Sequence, residues 1–171
     1  MRSGLVVIAL VSMVWCHAAS ACGPQVRITY AESSPDYFRV EFINGPNFEL
    51  REVRLDLSGS VGRAHIDTAY GAAPSANADG VQLVKVEDVV ERGRTATLTF
   101  KNFFAGRDFR YLVDLDDESP AGGGDFDHLT ASEISGATAV ARLVHSDGRI
   151  DVISGQFNKD SVAVLAPKAC V

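Results

Sequence analysis

The chain is acidic and of moderate length. It has 171 residues, 22 acidic side chains against 16 basic ones, and a formal net charge of -6 at pH 7. No cluster of basic residues occurs, which excludes the electrostatic footprint of a nucleic-acid-binding protein, and an acidic surface argues against anionic partners.

The N-terminal residues have the three parts of a secretory signal peptide. Met1 and Arg2 give a positive end, residues 4–15 form an apolar segment, and Ala19-Ser20-Ala21 is a small-residue cleavage site. The apolar segment is too short to span a bilayer as a stable helix, and no other stretch of the sequence is apolar for long enough. We therefore predict that residues 1–21 are removed and that the protein is secreted or periplasmic.

The mature chain, residues 22–171, is predicted to form a single domain. A chain of about 150 residues buries roughly 70% of its unfolded surface, which is enough for an independent core. Without the first 21 residues the chain has 15 basic and 22 acidic side chains and a formal charge of -7.

Two cysteines remain in this mature chain. Cys22 and Cys170 are predicted to form a disulfide, because exported proteins often pair their cysteines and the ends of a domain often lie close together. In the loop-entropy model such a bridge, closing about 148 residues, stabilises the fold by about 5 kcal/mol at most. The alternative is a lipid anchor on Cys22, as in bacterial lipoproteins, although Ala19 occupies a position where Leu is usual.

Alternation of apolar and polar residues predicts a series of short strands, because strand side chains point to opposite faces in turn. The segment 81–90 is ambiguous, since its spacing also suits a helical turn, but its β-branched content favours a strand. Residues 71–80 and 119–127 are predicted to be loops. The predicted strands are residues 25–30, 37–43, 49–57, 64–69, 81–90, 95–100, 109–116, 137–145, 149–154 and 161–166.

The segment Leu98–Glu118 is predicted to form one ribbon, made of a strand, a tight turn and a second strand, and ending in acidic residues. Its second strand has an apolar face, which we expect to enter the core, and a face that carries charge. The apolar face has Phe109, Tyr111, Val113 and Leu115, and the other has Arg110, Leu112, Asp114 and Asp116.

These patterns predict an all-β fold of about nine to eleven short strands, with no long amphipathic helix. Strands recurring at this spacing are typical of an antiparallel two-sheet β-sandwich, immunoglobulin-like or jelly-roll-like, or of a related barrel.

One group of acidic residues is a candidate metal site. Ca²⁺ takes six to eight oxygen ligands, often from carboxylates and loop carbonyls, and a glycine-rich loop could bring such groups together. The alternative is a solvated acidic loop that prevents pairing at a sheet edge. The candidate calcium ligands are Asp114, Asp116, Asp117, Glu118, Asp125 and Asp127.

No catalytic motif is present, so we predict that the protein is not an enzyme. The sequence has neither a G-x-S-x-G nor an H-E-x-x-H pattern. His65, His128 and His145 stand apart, and His128 beside Asp127 would favour zinc over calcium. Exposed aromatic side chains would favour sugar binding, and those predicted to lie near turns are Tyr70, Phe103, Phe104, Phe126 and Phe157.

Three segments together resemble a family of small exported bacterial proteins, the aggregation factor core type. They are residues 97–106 (TLTFKNFFAG), 109–117 (FRYLVDLDD) and 131–137 (ASEISGA). The family shows a "paG..F.f.vDvDD" strand followed by "v.gsEi.GA", and its early part is similar to Ser33–Asp36 and Leu55–Gly59. The resemblance implies an extracellular adhesive or matrix role and calcium binding, and it implies no catalytic residue. The longer tail after Gly136 and the terminal cysteines depart from the family pattern.

The sequence therefore leaves three hypotheses. The chain is an exported adhesion or binding module with a protein or carbohydrate surface partner, a calcium-stabilised structural domain, or a carbohydrate-binding protein or unrecognised secreted hydrolase.

Overall fold

A computed structural model describes residues 23–68, 80–118 and 129–167. Within these ranges the chain forms ten β-strands and one short 3-10 helix at Ala131–Ile134, and no helix is long and apolar enough to cross a membrane. The strands are β1 Gln25–Ala31, β2 Asp36–Asn44, β3 Phe48–Asp56, β4 His65–Asp67, β5 Gln82–Glu87, β6 Thr95–Lys101, β7 Arg107–Asp116, β8 Thr138–His145, β9 Ile150–Gln156 and β10 Val162–Leu165.

The strands form two five-stranded antiparallel sheets that pack face to face. Sheet A has the order β10-β1-β2-β7-β4, and sheet B has the order β5-β6-β3-β8-β9. Every strand pair is antiparallel. The predicted all-β, two-sheet sandwich is therefore confirmed, and the ten strands of the described residues fall within the predicted range of nine to eleven. The ambiguous segment 81–90 contains β5, so its assignment as a strand is confirmed for residues 82–87 and is wrong for residues 88–90.

The core lies between the sheets and is built by the predicted alternation. On β7 the side chains of Phe109, Tyr111, Val113 and Leu115 are at most 2% exposed. Aromatic rings join the two sheets: the Phe100 ring of β6 lies 5.2 Å from that of Phe109 on β7, at an interplanar angle of 69°. Edge-to-face pairs at this distance stabilise a core beyond the area that they bury.

The two strands of the segment Leu98–Glu118 do not pair with each other. β6 pairs with β3 and β5 in sheet B, whereas β7 pairs with β2 and β4 in sheet A. The connection 102–106 therefore carries the chain from one sheet to the other, and the prediction of a single ribbon is wrong. The Phe100 and Phe109 rings meet edge to face across the core, with their centroids 5.2 Å apart, so the two strands pack against each other through side chains instead of pairing through their backbones.

Backbone bridges join the sheets along both lateral margins. Ile66 of β4 pairs with Gly93 beside β6, and Ser154 of β9 pairs with Ala166 after β10. Each bridge pairs one residue at a lateral margin, which reduces the number of unpaired peptide groups offered there to other chains.

Two glycines meet where the connection after β3 and the connection before β8 approach each other at one end of the sandwich. A Cβ on Gly136, whose φ is +95°, would lie 2.2 Å from the carbonyl oxygen of Gly59. Hydrogen bonds from Val61 N–H to the Ser135 carbonyl and from Gly62 N–H to the Glu133 carbonyl hold the same two connections together. Both connections belong to segments that carry the family resemblance, so glycine has a structural role in each of them.

We predict that Gly136→Ala destabilises the protein far more than Gly148→Ala. Both glycines have φ above +90°, but a Cβ on Gly148 would meet nothing within 4 Å. The Gly148 variant carries only the backbone penalty, about 1 kcal/mol, while the Gly136 variant adds a clash with backbone and should lose about 3 kcal/mol or more. Urea denaturation measures both free energies of unfolding, and equal losses would contradict the close approach.

Candidate functional site: acidic edge, buried tyrosines and the outer face of sheet B

The described members of the predicted calcium site lie at the end of β7 and directly after it. Asp114 is paired across the strands with Asp67, and Asp116 with His65, whose Nε2 lies 3.9 Å from Asp116 Oδ2. Among residues 23–68, 80–118 and 129–167, no group of three or more His, Cys, Asp or Glu side chains could hold a metal ion. Asp125, Asp127 and His128 lie outside the described residues, so the calcium site stays a prediction.

Glu118 is held by two arginines. Its Oε1 lies 2.7 Å from Arg94 Nη2, and its Oε2 lies 2.7 Å from Arg63 Nη2. Charge-assisted contacts of this length occupy both carboxylate oxygens. In this arrangement Glu118 links the connections after β3, β5 and β7, which is a structural role.

If the acidic group binds calcium, added Ca²⁺ raises the Tm and EGTA reverses the rise, because a ligand held only by the folded state stabilises it. The double variant Asp114→Asn/Asp116→Asn should then lose the rise in Tm. A matched control is Asp151→Asn, which removes a carboxylate paired with Arg149 on sheet B. An unchanged Tm of the unsubstituted protein at millimolar Ca²⁺ would contradict the calcium hypothesis.

Two buried tyrosines have opposite hydrogen-bonding situations. The Tyr30 hydroxyl donates to Asp36 Oδ2 at 2.7 Å, and Asp36 Oδ1 accepts from the Ser33 N–H at 2.8 Å. Burial raises the pKa of Tyr30 well above its ordinary value, and the hydrogen bond to Asp36 and its charge add to the shift. The Tyr111 hydroxyl is buried without a hydrogen-bond partner in the described part of the chain, and burial raises its pKa to about 12.

We predict that Tyr111→Phe stabilises the protein and that Tyr30→Phe destabilises it. Removing the Tyr111 hydroxyl should raise the free energy of unfolding by about 1 kcal/mol, because an unpartnered buried polar group is lost. Removing the Tyr30 hydroxyl should lower it by about 1–3 kcal/mol, because buried Asp36 loses a donor. Chemical denaturation at pH 7 measures both changes.

The same tyrosines set an alkaline limit. Both tyrosines have a raised pKa in the folded state, so folding disfavours their ionisation. The free energy of unfolding is therefore unaffected by their titration below the unfolded pKa of about 10 and falls as the pH rises above it. Tyr111→Phe should therefore weaken the loss of stability between about pH 10 and pH 12. A steeper alkaline loss in this variant, or a loss of stability at pH 7, would count against the assignment of Tyr111.

The aromatic residues predicted as sugar contacts are divided between core and surface. Phe103 and Phe157 are 0% and 2% exposed, so the expectation that they are accessible is wrong. Phe104 is 44% exposed, and the Arg107 guanidinium lies 5.5 Å from its ring centroid. Tyr70 and Phe126 lie outside the described residues.

The outer face of sheet B carries a shallow depression of about 300 Å³ that the sequence patterns do not predict. Two β-bulges shape it, because the pairing register skips Arg51 on β3 and Val84 on β5. A bulge bends its strand and re-aims the extra side chain. The residues that line the depression are Arg51, Glu52, Val84, Thr99, Phe100, Lys101, Arg142 and Val144.

The charge in this depression is positive, in contrast to the chain as a whole. The charged residues that line it are one acid, Glu52, and three cations, Arg51, Lys101 and Arg142. Arg51 Nη2 lies 3.0 Å from Glu49 Oε2, whereas the Lys101 and Arg142 side chains form no hydrogen bond or ion pair with any described residue. Two cationic side chains are thus available to a ligand.

A break in the sequence pattern marks one of the bulges. The core residues Phe48 and Leu50 are two apart, but the next core residue of β3 is Val53, three positions on. An extra residue in an alternating pattern is what a bulge requires. The sequence therefore contains a signal for Arg51, although its neighbours across the sheet cannot be derived from it.

Comparison of the chain with protein-family models, with curated proteins and with solved structures gives no match. The resemblance to the aggregation factor core family therefore stays a prediction.

Proposed function

We propose that the protein is an exported, non-enzymatic β-sandwich module that attaches to an extracellular partner through the outer face of sheet B. The observation that carries the proposal is the bulged depression on this face, with Lys101 and Arg142 unengaged by other described side chains. Arginine beside apolar side chains is characteristic of protein surfaces that bind partners.

Exposed apolar side chains extend this surface onto the neighbouring strand. Ile150 and Val152 of β9 are 50% and 64% exposed, and they pair across the strands with Val144 and Arg142. Val140 of β8 lies on the same face and is 36% exposed. The depression and this apolar margin form one continuous surface, which we name the sheet B face.

The adhesive role that the family resemblance implies is consistent with such a surface. The open outer face of sheet B can bind a polymer or a cell surface without enclosing a small molecule. Export and the Cys22–Cys170 disulfide are parts of the same proposal. Both cysteines lie outside the described residues, but a Cβ on Gly23 would lie 3.1 Å from Pro167 Cγ, so the described segments that lead to them are in contact.

The proposal is tested by Val152→Asp, with Val61→Asp as the matched control. Both valines are exposed, Val152 by 64% and Val61 by 74%, but Val61 lies on the connection after β3. The two substitutions add the same charge, so any difference between them reports the location of the binding surface.

Binding of the labelled mature protein is measured on immobilised extracellular polysaccharides and matrix proteins. We expect at least one of them to bind, and Val152→Asp to weaken that binding by about tenfold or more, equal to about 1.4 kcal/mol. Val61→Asp should change it by less than about twofold. Equal losses in the two variants, or no binding to any polymer of the panel, would contradict the proposal.

A further inference from the structure

We infer that the ligand of the sheet B face is an anionic polysaccharide whose carboxylates contact Arg142 and Lys101. This inference rests on the proposed function and adds the chemical class of the partner. Net charge alone argues against it, because the mature chain is predicted to carry -7. Recognition depends on the local field, however, and a depression in which one sign of charge predominates concentrates counter-ions of the other sign.

The depression supplies the groups that a carboxylate requires. Arg142 can bind a carboxylate with two parallel N–H donors, while Lys101 contributes a compact positive charge. Neither side chain must first leave an ion pair, since neither has one with the described residues. Arg51 is 40% exposed at its side chain and retains its contact with Glu49. A ligand carboxylate therefore meets two available cations and a third that is partly neutralised.

Hydroxyl groups continue the polar surface along β6. Thr95, Thr97 and Thr99 point to the outer side of sheet B, while Ala96, Leu98 and Phe100, which alternate with them, are buried. Thr99 lines the depression, and Thr97 donates to Asp88 Oδ2 at 2.7 Å. A row of hydroxyls beside cations matches a polymer that carries both hydroxyls and carboxylates.

The open shape of the depression favours a chain that runs across it over an enclosed small molecule. Its volume of about 300 Å³ lies at the lower limit of small-molecule pockets, which span about 300–1,000 Å³. A polymer can contact the depression with one unit and the threonine row with the next. Repeated weak contacts of this kind add through effective concentration.

Substitution of Glu52 tests the sign of the charge on the ligand. It lines the depression and pairs across the strands with Arg142. An anionic ligand is repelled by this carboxylate, so Glu52→Gln should strengthen binding. A neutral ligand that donates hydrogen bonds to the Glu52 carboxylate would lose affinity instead, because the charge-assisted bond is lost.

Three soluble polymers separate the possible chemistries: polygalacturonate has carboxylates and hydroxyls, poly-L-glutamate has carboxylates on a peptide, and dextran has hydroxyls alone. We expect polygalacturonate to bind most tightly, with an affinity that falls as salt is raised. Arg142→Gln should weaken it by about tenfold and Glu52→Gln should strengthen it. The control Arg27→Gln, on the outer side of sheet A and 3.9 Å from Glu41, should change it by less than about twofold.

The outcomes separate the inference from the proposed function. Equal or tighter binding of poly-L-glutamate would show an acidic protein as the partner, and equal binding of dextran would show that charge is not recognised. Either result overturns the inference, and so does weaker binding by Glu52→Gln. The proposed function survives each of them if Val152→Asp still weakens the observed binding by about tenfold or more. The inference alone is also overturned if polygalacturonate does not bind while Val152→Asp weakens the binding of another polymer of the panel.

Discussion

The contact between Phe100 and Phe109 shows the constraint on which the structure depends: every strand must turn its apolar side toward the opposite sheet. Among the ten strands of the described residues, six of the nine steps from one strand to the next pass from one sheet to the other, and three stay within a sheet. Strands that follow each other in the sequence therefore mostly lie in opposite sheets. Buried apolar area, the main favourable contribution to folding, is in this way divided among many short segments and depends on all of them.

This arrangement separates the inner sides of the sheets from the outer ones. Inner positions are fixed by packing, so a bulge there would displace core residues. Outer positions can vary, and the bulges at Arg51 and Val84 turn their side chains onto the surface of sheet B. The depression is thus a consequence of breaking the strand pattern where the core can tolerate it, with Phe100 remaining fully buried beneath it.

The sequence predicts strands well and predicts their partners poorly, for physical reasons. Alternation on β1, β2 and β7 is a local property, and these strands are found within one or two residues of their expected bounds. Sheet membership depends on contacts distant in the sequence, which is why residues 98–118 were expected to form one ribbon. Phe103 and Phe157 show the same limit, because turn chemistry around them says nothing about which side of the connection enters the core.

The candidate surface could not be derived in advance, because its charges come from three separate strands. Arg51, Lys101 and Arg142 are far apart in the sequence, and none of them belongs to a basic run. Only pairing of β3 with both β6 and β8 brings them together. The acidic residues around β7 are adjacent in the sequence, which is why the sequence predicts a calcium site there. Glu118, however, forms ion pairs with two arginines.

The pairing of β1 with β10 has a mechanical consequence. Val26 and Leu165 are opposite each other near the start of one strand and the end of the other, and Gly23 and Pro167 lie in contact beyond them. Tension applied through these two points would separate the strands by peeling, breaking the hydrogen bonds one after another instead of shearing them together. A cross-link between Cys22 and Cys170 would lie outside that junction and would bear the load before the sheet does.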